Sequence, residues 1–155
     1  SRFENIALIT DAGTPGISDP GRKLVEDLCR RDFKIIPIPG PSALAAIISV
    51  SDIDLSEFLF LGFPPHKKGR KKIFERISKS EVPVILFESP HRILKTLREL
   101  QSACGDVYIN VGRELTKIHE EVLAGTPAEL AKRLQTQKAV RGEFVVIVEV
   151  VKATP

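Results

Sequence analysis

The chain has little that would point to an oxidising compartment, a membrane or a metal. It holds two cysteines in 155 residues. Cys29 and Cys104 fall on apolar helix faces without CxxC or any other ligand spacing, so both are expected as buried thiols in a reducing cytoplasm. His91 and His119 stand alone, without partners at metal spacing, and no metal is expected. GxGxxG and Walker-type loops are absent, and spacing alone yields no Ser-His-Asp or Cys-His relay. No apolar run approaches the ~20 residues a bilayer needs, and the first residues lack the regions of a signal peptide, so no membrane partner is expected. There is no internal repeat and no low-complexity tract. An excess of one charge is also missing: 23 basic against 20 acidic residues leave a net charge of +3. That is too small to argue nucleic-acid binding, so the distribution of charge matters more.

What is present is the composition of a globular protein, 43% hydrophobic and 28% charged, long enough for one medium domain or two small ones. The most informative stretch is Asp11 to Gly21, a polar loop with three glycines and two prolines. It follows Ile6-Ala7-Leu8-Ile9, which reads as a buried strand. A plain βα connection takes about 2–6 residues. This longer loop, at the C-terminal end of a strand, reads as a ligand loop whose glycines let the backbone approach closely. Asp19 is the expected N-cap and Pro20 the first position of a helix with Leu24, Val25, Leu28 and Cys29 on one face. Lys34 to Ile38 reads as a second strand. Pro39-Gly40-Pro41 is a rigid turn, and Ser42 caps a helix, Ala43 to Val50, apolar almost all round and therefore buried.

Phe58 to Phe63 reads as a strand running into Pro64-Pro65, and a domain boundary is placed here. The segment from His66 to Lys72 carries six basic residues and no acid before an amphipathic helix with Ile73, Phe74 and Ile77 on one face. A solvated helix start is the plain reading. Against it, lysines oppose the positive end of the helix dipole, which suits a cluster recruited for phosphates, although no interleaved aromatic is there to stack bases. Val82 to Glu88 is a strand ending in an acid. Ser89 and Pro90 are the expected cap and first position of a helix with Ile93, Leu94, Leu97 and Leu100 inside, stopped by Gly105. Val107 to Val111 is a strand, Thr126 to Glu129 a capping box, and Phe144 to Val151 a long buried strand. Strands and helices alternate, so the class is α/β.

Polar groups stand at the strand ends: Asp11 and Thr14; Glu88, Ser89, His91 and Arg92; Arg113, Glu114 and Lys117. If the strands align, these converge on one edge of the sheet, though Glu88 with Arg92 and Arg113 with Glu114 could each be a plain ion pair. Thr10-Asp11-Ala12-Gly13-Thr14-Pro15, Ile17-Ser18-Asp19-Pro20-Gly21, Pro37-Ile38-Pro39-Gly40-Pro41-Ser42-Ala43, Gly62-Phe63-Pro64, Glu88-Ser89-Pro90-His91-Arg92, Arg113-Glu114-Leu115-Thr116-Lys117 and Gly142-Glu143-Phe144, in this order, closely resemble the bacterial small-subunit ribosomal RNA (cytidine-2'-O)-methyltransferases of the tetrapyrrole (corrin/porphyrin) methylase superfamily. The Ser-Asp-Pro-Gly and Ser-Pro-His-Arg blocks separate this RNA-modifying branch from precorrin-methylating relatives.

The resemblance implies S-adenosylmethionine as methyl donor, in a cleft between two α/β domains. It implies that residues 1–57 are the C-terminal half of a parallel N-terminal domain whose first strand and Gly-Asn-Leu-type loop lie upstream, and that residues 58–152 are a second α/β domain with a mixed sheet. It implies cofactor contacts at Asp11, Ala12, Gly13, Thr14, Ser42 and Ala43 on one side and at Phe63, Glu88, Arg113 and Gly142 on the other. Lys67, Lys68, Arg70, Lys71, Lys72 and Arg92 would hold the RNA backbone. A proton acceptor for the ribose hydroxyl could be Asp11, Glu88 or Glu114. Small-subunit ribosomal RNA or the subunit itself is the implied substrate, and a homodimer is expected because half a sheet exposes an apolar edge. Two alternatives stay open at this point: a methylase of a tetrapyrrole or other small molecule, and a non-catalytic RNA-binding module left by truncation.

Overall fold

The structure is a computed structural model that describes residues 5–11, 13–136 and 140–150. Two helices come first, α1 (Arg22–Arg30) and α2 (Ala43–Val50). There follow β1 (Leu59–Gly62), α3 (Arg70–Ser78), β2 (Val84–Glu88), α4 (Ile93–Cys104), β3 (Ile109–Arg113), β4 (Glu121–Gly125), α5 (Pro127–Gln135) and β5 (Phe144–Val148). The strands form one mixed sheet in the order β1-β2-β5-β3-β4. Among the described residues only β1 and β2, joined through α3, run parallel. The other three pairings are antiparallel.

The sheet has two covered faces because its strands are apolar on both sides. On β2, Val84 and Leu86 point to a core shared with Phe74 and Ile77 of α3, Leu97 and Leu100 of α4, and Leu130 and Leu134 of α5. Ile85 points the other way and packs with Val145 and Ile147 of β5 against Ile47 of α2, with Phe60 and Phe87 alongside. The connection from α2 to β1 is tied to β3. Asp52 accepts from the Tyr108 hydroxyl at 2.7 Å and from Asn110 Nδ2 at 3.0 Å, and Ser51 Oγ donates to Asn110 Oδ1 at 2.7 Å.

Helix ends follow local chemistry where a side chain meets a backbone donor. Ser42 accepts from the Ala45 amide at 3.4 Å, and Thr126 and Glu129 form a reciprocal capping box on α5. Gly105, at φ +71°, ends α4. Elsewhere the expected starts shift. Gly21, not Asp19, precedes α1, without a side-chain cap. Ser89 and Pro90 lie in a turn, and α4 starts only at Ile93, after Arg92.

Several expectations are corrected. Ile6–Ile9 and 34–38 form no strand, and Ile6, Ile9 and Ile38 are 80%, 84% and 78% exposed. An extended segment becomes a strand only when its N–H and C=O groups pair with a neighbour, and neither segment has one among the described residues. With no sheet beneath it, α1 has no buried residue, and Cys29 is exposed. Cys104 is half-buried, and burial pushes its thiol pKa up. In α2 only Ile47 is fully buried. β3 starts two residues later than expected, and β4 is a strand that the sequence pattern does not announce. Among the described residues no helix is long and apolar enough to cross a membrane.

Candidate active site

A cavity of about 720 Å³ opens on the α2 side of the sheet. One wall is the loop from Asp11 to Asp19, which folds back on itself because three of its positions have left-handed φ, Gly13 at +76°, Gly16 at +96° and Ser18 at +63°, with Gly21 at +136° just beyond. The loop is fastened to the turn before α2. Thr14 Oγ1 donates to the Pro41 carbonyl at 3.0 Å, and a Cβ on Gly13 would stand 3.7 Å from the same oxygen. Small residues at the start of α2, Ser42, Ala43, Ala45 and Ala46, form the second wall and leave the helix backbone accessible.

The remaining walls come from the sheet. Phe63, after β1, meets Phe87 of β2 edge to face, with ring centroids 5.5 Å apart. Phe144 and Val145 of β5 continue this side, and Leu115, Thr116 and Lys117 close it. Glu143 lines it too. Lys117 Nζ lies 3.0 Å from both Glu114 Oε1 and Glu143 Oε2, and these two hydrogen bonds raise its pKa. Glu114 also accepts from the Glu143 amide at 2.9 Å, which, with Lys117, holds its carboxyl below the usual range. This loop is strained, with Glu114 at φ +47° and Thr116 at +64°. Gly142 faces it at φ +92° so closely that a Cβ there would come within 2.3 Å of Glu114 Cγ.

Of the residues expected at the cofactor, Asp11, Gly13, Thr14, Ser42, Ala43 and Phe63 line the cavity. Ala12 lies outside the described residues. Glu88, Arg113 and Gly142 do not line it. The strand register explains the first two: Glu88, Phe144 and Arg113 sit level across β2, β5 and β3, so the strand ends do converge on one edge. Alternation then turns Glu88 and Arg113 to the three-helix face, opposite Phe87. Arg113 lies 3.7 Å from Glu121, donates to the Arg141 carbonyl at 2.7 Å and stands over the Phe144 ring.

Glu88 is fully buried. Arg92 reaches its Oε1 at 2.7 Å, Thr96 donates to its Oε2 at 2.6 Å, and Arg70 lies 3.6 Å away. Arg70, 4% exposed, also pairs with Glu99 at 2.6 Å. Arg70 is therefore buried and Arg92 half-buried, unlike Lys67, Lys68, Lys71 and Lys72, which are exposed. Of the acids proposed as proton acceptors, Asp11 alone lines the cavity. Phe87, Leu115, Thr116, Glu143 and Ser49 were not anticipated there. Phe87 was within reach of the sequence, because a strand that turns Glu88 to one face must turn Phe87 to the other. No group of three or more metal-ligating side chains occurs among the described residues.

Residues 1–131 match the family described as tetrapyrrole (corrin/porphyrin) methylases. A Thermotoga maritima protein named ribosomal RNA small subunit methyltransferase I is 38% identical over 93% of this chain and 64% of its own length. Proteins of the same name from Borrelia garinii subsp. bavariensis and Bacillus subtilis are 45% and 40% identical, over 96% and 94% of this chain and 67% and 50% of theirs. The chain thus spans between half and two thirds of the length of these curated relatives. Among solved structures, cobalt precorrin-4 methyltransferase superposes with a TM-score of 0.64 at 17% identity, covering 87% of this chain and 60% of that one. Diphthine synthase gives 0.66 at 15%, covering 89% and 57%. Uroporphyrin-III C-methyl transferase from Thermus thermophilus, complexed with S-adenosyl homocysteine, gives 0.58 at 12%, covering 87% of this chain and 62% of that one. These likenesses establish the fold.

Proposed function

This chain belongs to the tetrapyrrole (corrin/porphyrin) methylase family, and we propose that it forms the cofactor cleft and RNA-facing surface of an enzyme that uses S-adenosylmethionine to methylate the 2'-hydroxyl of a cytidine ribose in small-subunit ribosomal RNA. The cavity carries this reading. At about 720 Å³ it falls within the roughly 300–1,000 Å³ of ligand pockets. It occurs in a chain 38% and 45% identical to proteins named for methylation of that RNA.

The lining fits such a donor. Gly13 and the alanines of α2 leave backbone exposed where a bulky side chain would fill the space, Phe63 and Phe87 offer rings against which a purine can pack, and Asp11 and Asp19 supply the negative charge a cationic donor needs. We assign donor contacts to Asp11, Gly13, Thr14, Ser42, Ala43 and Phe63. S-adenosylmethionine supplies, when bound, a methyl group already activated by its sulfonium. The protein's part is alignment of the acceptor hydroxyl and removal of its proton, and we assign proton acceptance to Asp11, the candidate acid on the cavity wall. Lys67, Lys68, Lys71 and Lys72 face solvent and would hold the RNA backbone, which makes binding fall with salt. The same reading places the enzyme in the cytoplasm with the ribosomal subunits. It includes a homodimer, supported by the apolar side chains left exposed in segments 5–10 and 33–38; a strictly monomeric mass in sedimentation would remove that part.

The test is transfer of a tritiated methyl group to unmethylated small ribosomal subunits by the protein that contains this chain. Label on a cytidine ribose is expected, and its loss in D11N. Label on a base, or on a small tetrapyrrole instead of the subunit, would overturn the reading.

A further inference from the structure

The exposed lysines between β1 and α3 hang from a backbone segment held by a cluster of charges centred on the buried Glu88 and Arg70. We infer that Glu88 is a positioning residue for RNA binding: it gathers Arg70 and Arg92 so that the two guanidiniums fix the Pro64–Pro65 carbonyls and thereby set the loop that presents Lys67 and Lys68. The inference rests on the RNA-binding reading of that loop.

Both oxygens of Glu88 are fully used. Oε1 accepts from Arg92 at 2.7 Å and from the Ser89 amide at 2.8 Å, and Oε2 accepts from Thr96 at 2.6 Å with Arg70 at 3.6 Å. Each guanidinium also reaches the loop, Arg92 through its other terminal nitrogen and Arg70 through the same NH1 that faces Glu88. Arg92 NH1 donates to the Pro64 carbonyl at 2.8 Å, and Arg70 NH1 donates to the Pro65 carbonyl at 3.2 Å. Proline has no N–H, so these carbonyls are the only backbone hydrogen-bonding handles that residues 64 and 65 possess. Beyond them the Arg70 amide donates to the Lys67 carbonyl at 3.2 Å, and Gly69, at φ +85°, turns the chain into α3. The loop therefore has its root, its middle and its exit tied to the cluster, while the lysine side chains remain in solvent.

A buried ion cluster adds little net stability over apolar packing of the same volume, because desolvation offsets the attraction. Conformational definition is what this one supplies. Neighbouring lysines repel one another, and a loop free to splay would have to be ordered against that repulsion when RNA binds; a loop already fixed meets the phosphates without that cost. Glu88 and Glu99 balance Arg70 and Arg92, so the cluster keeps a cationic loop outside without placing net charge inside.

The experiment is fluorescence anisotropy of a short fluorescein-labelled single-stranded RNA, titrated with the whole chain over a range of KCl concentrations, using wild type, K67A/K68A, E88Q and E99Q. Each phosphate contact on a single strand adds about 0.7 to the slope of log K against log salt, so K67A/K68A is expected to lower the slope by about 1.4. Folded E88Q is expected to weaken low-salt binding about tenfold and lower the slope in the same direction, because the lysines no longer act together. A purely architectural role would lower the melting temperature and leave the slope of the folded protein unchanged. If K67A/K68A keeps both affinity and slope, the RNA reading of the loop fails. If K67A/K68A loses them while folded E88Q keeps them, the positioning role is refuted. Should E88Q not fold, E99Q decides, since it removes one of the two carboxylates that hold Arg70: about threefold weaker binding with a shallower slope supports the role, and wild-type values overturn it.

Discussion

Replacing Gly142 with alanine tests whether the cavity's polar wall is as tightly interlocked as its geometry implies. At φ +92° an L side chain is strained, which costs about 1–2 kcal/mol. The added Cβ would also lie 2.3, 2.7 and 2.8 Å from Glu114 Cγ, Cδ and Oε1. The Glu114 side chain must then move, giving up Lys117 and the Glu143 amide; forcing such a rearrangement typically costs about 1–3 kcal/mol. The sum for G142A is roughly 2–5 kcal/mol of unfolding free energy. All three clashing atoms lie beyond Cβ, so E114A removes them. That variant itself loses a half-exposed ion pair and one charge-assisted bond, about 1 kcal/mol. In the E114A background, G142A should cost only the backbone part, roughly 1–2 kcal/mol. Urea denaturation of the four proteins, followed by circular dichroism, closes the cycle. Equal costs for G142A in both backgrounds, or a single-mutant cost below about 1 kcal/mol, would refute the interlock.

Three other outcomes are expected. Asp52 is held below the ordinary carboxylate value of 3.8 by the Tyr108 and Asn110 hydrogen bonds, so its contribution to stability is present above that pH and lost as the pH falls through the lowered value; wild type should lose more stability than D52N on acidification below 3.8, and parallel acid titrations would contradict this. T126A removes the cap of α5 and should cost about 1 kcal/mol, measurable as a lower urea midpoint at unchanged m-value. F63A removes one ring of the Phe63–Phe87 pair and should weaken S-adenosylhomocysteine binding by roughly 1 kcal/mol, about fivefold, in isothermal titration; unchanged affinity would remove Phe63 from the site.

What could be read from the chain beforehand was local chemistry, and what could not was pairing. Thr126 and Glu129 carry a complete helix start within four positions, and Ser42 likewise meets its backbone donor inside α2. β2 and β5 were visible as apolar runs because both of their faces are covered. β4 was missed: a short segment opened by Glu121 and carrying one fully buried residue, Leu123, is a strand through its ladder with β3. Conversely, Ile6–Ile9 has the side chains of a strand but no neighbour among the described residues. The α4 start went astray because Ser89 and Arg92 are drawn into the Glu88 cluster, with Ser89 Oγ accepting from Arg92 at 3.3 Å instead of capping the helix. In the site, the glycine loop and the Ser42 turn were legible as polar or rigid departures from periodicity. For Glu88 the resemblance implies a cofactor contact, while the two-residue period of its strand turns its side chain away from the cavity.

The position of β5 bears on how the protein is made. It lies between β2 and β3, which do not pair with each other, yet it is the last strand of the described residues to leave the ribosome. Until Phe144–Val148 emerges, the nascent chain holds two separate pieces, β1 with β2 and β3 with β4, each presenting an unsatisfied inner edge. Such edges recruit other chains, and closure across a long stretch of polypeptide is slow. Translation pausing shortly before residue 144 would therefore prolong the interval in which nascent chains can cross-pair on a polysome.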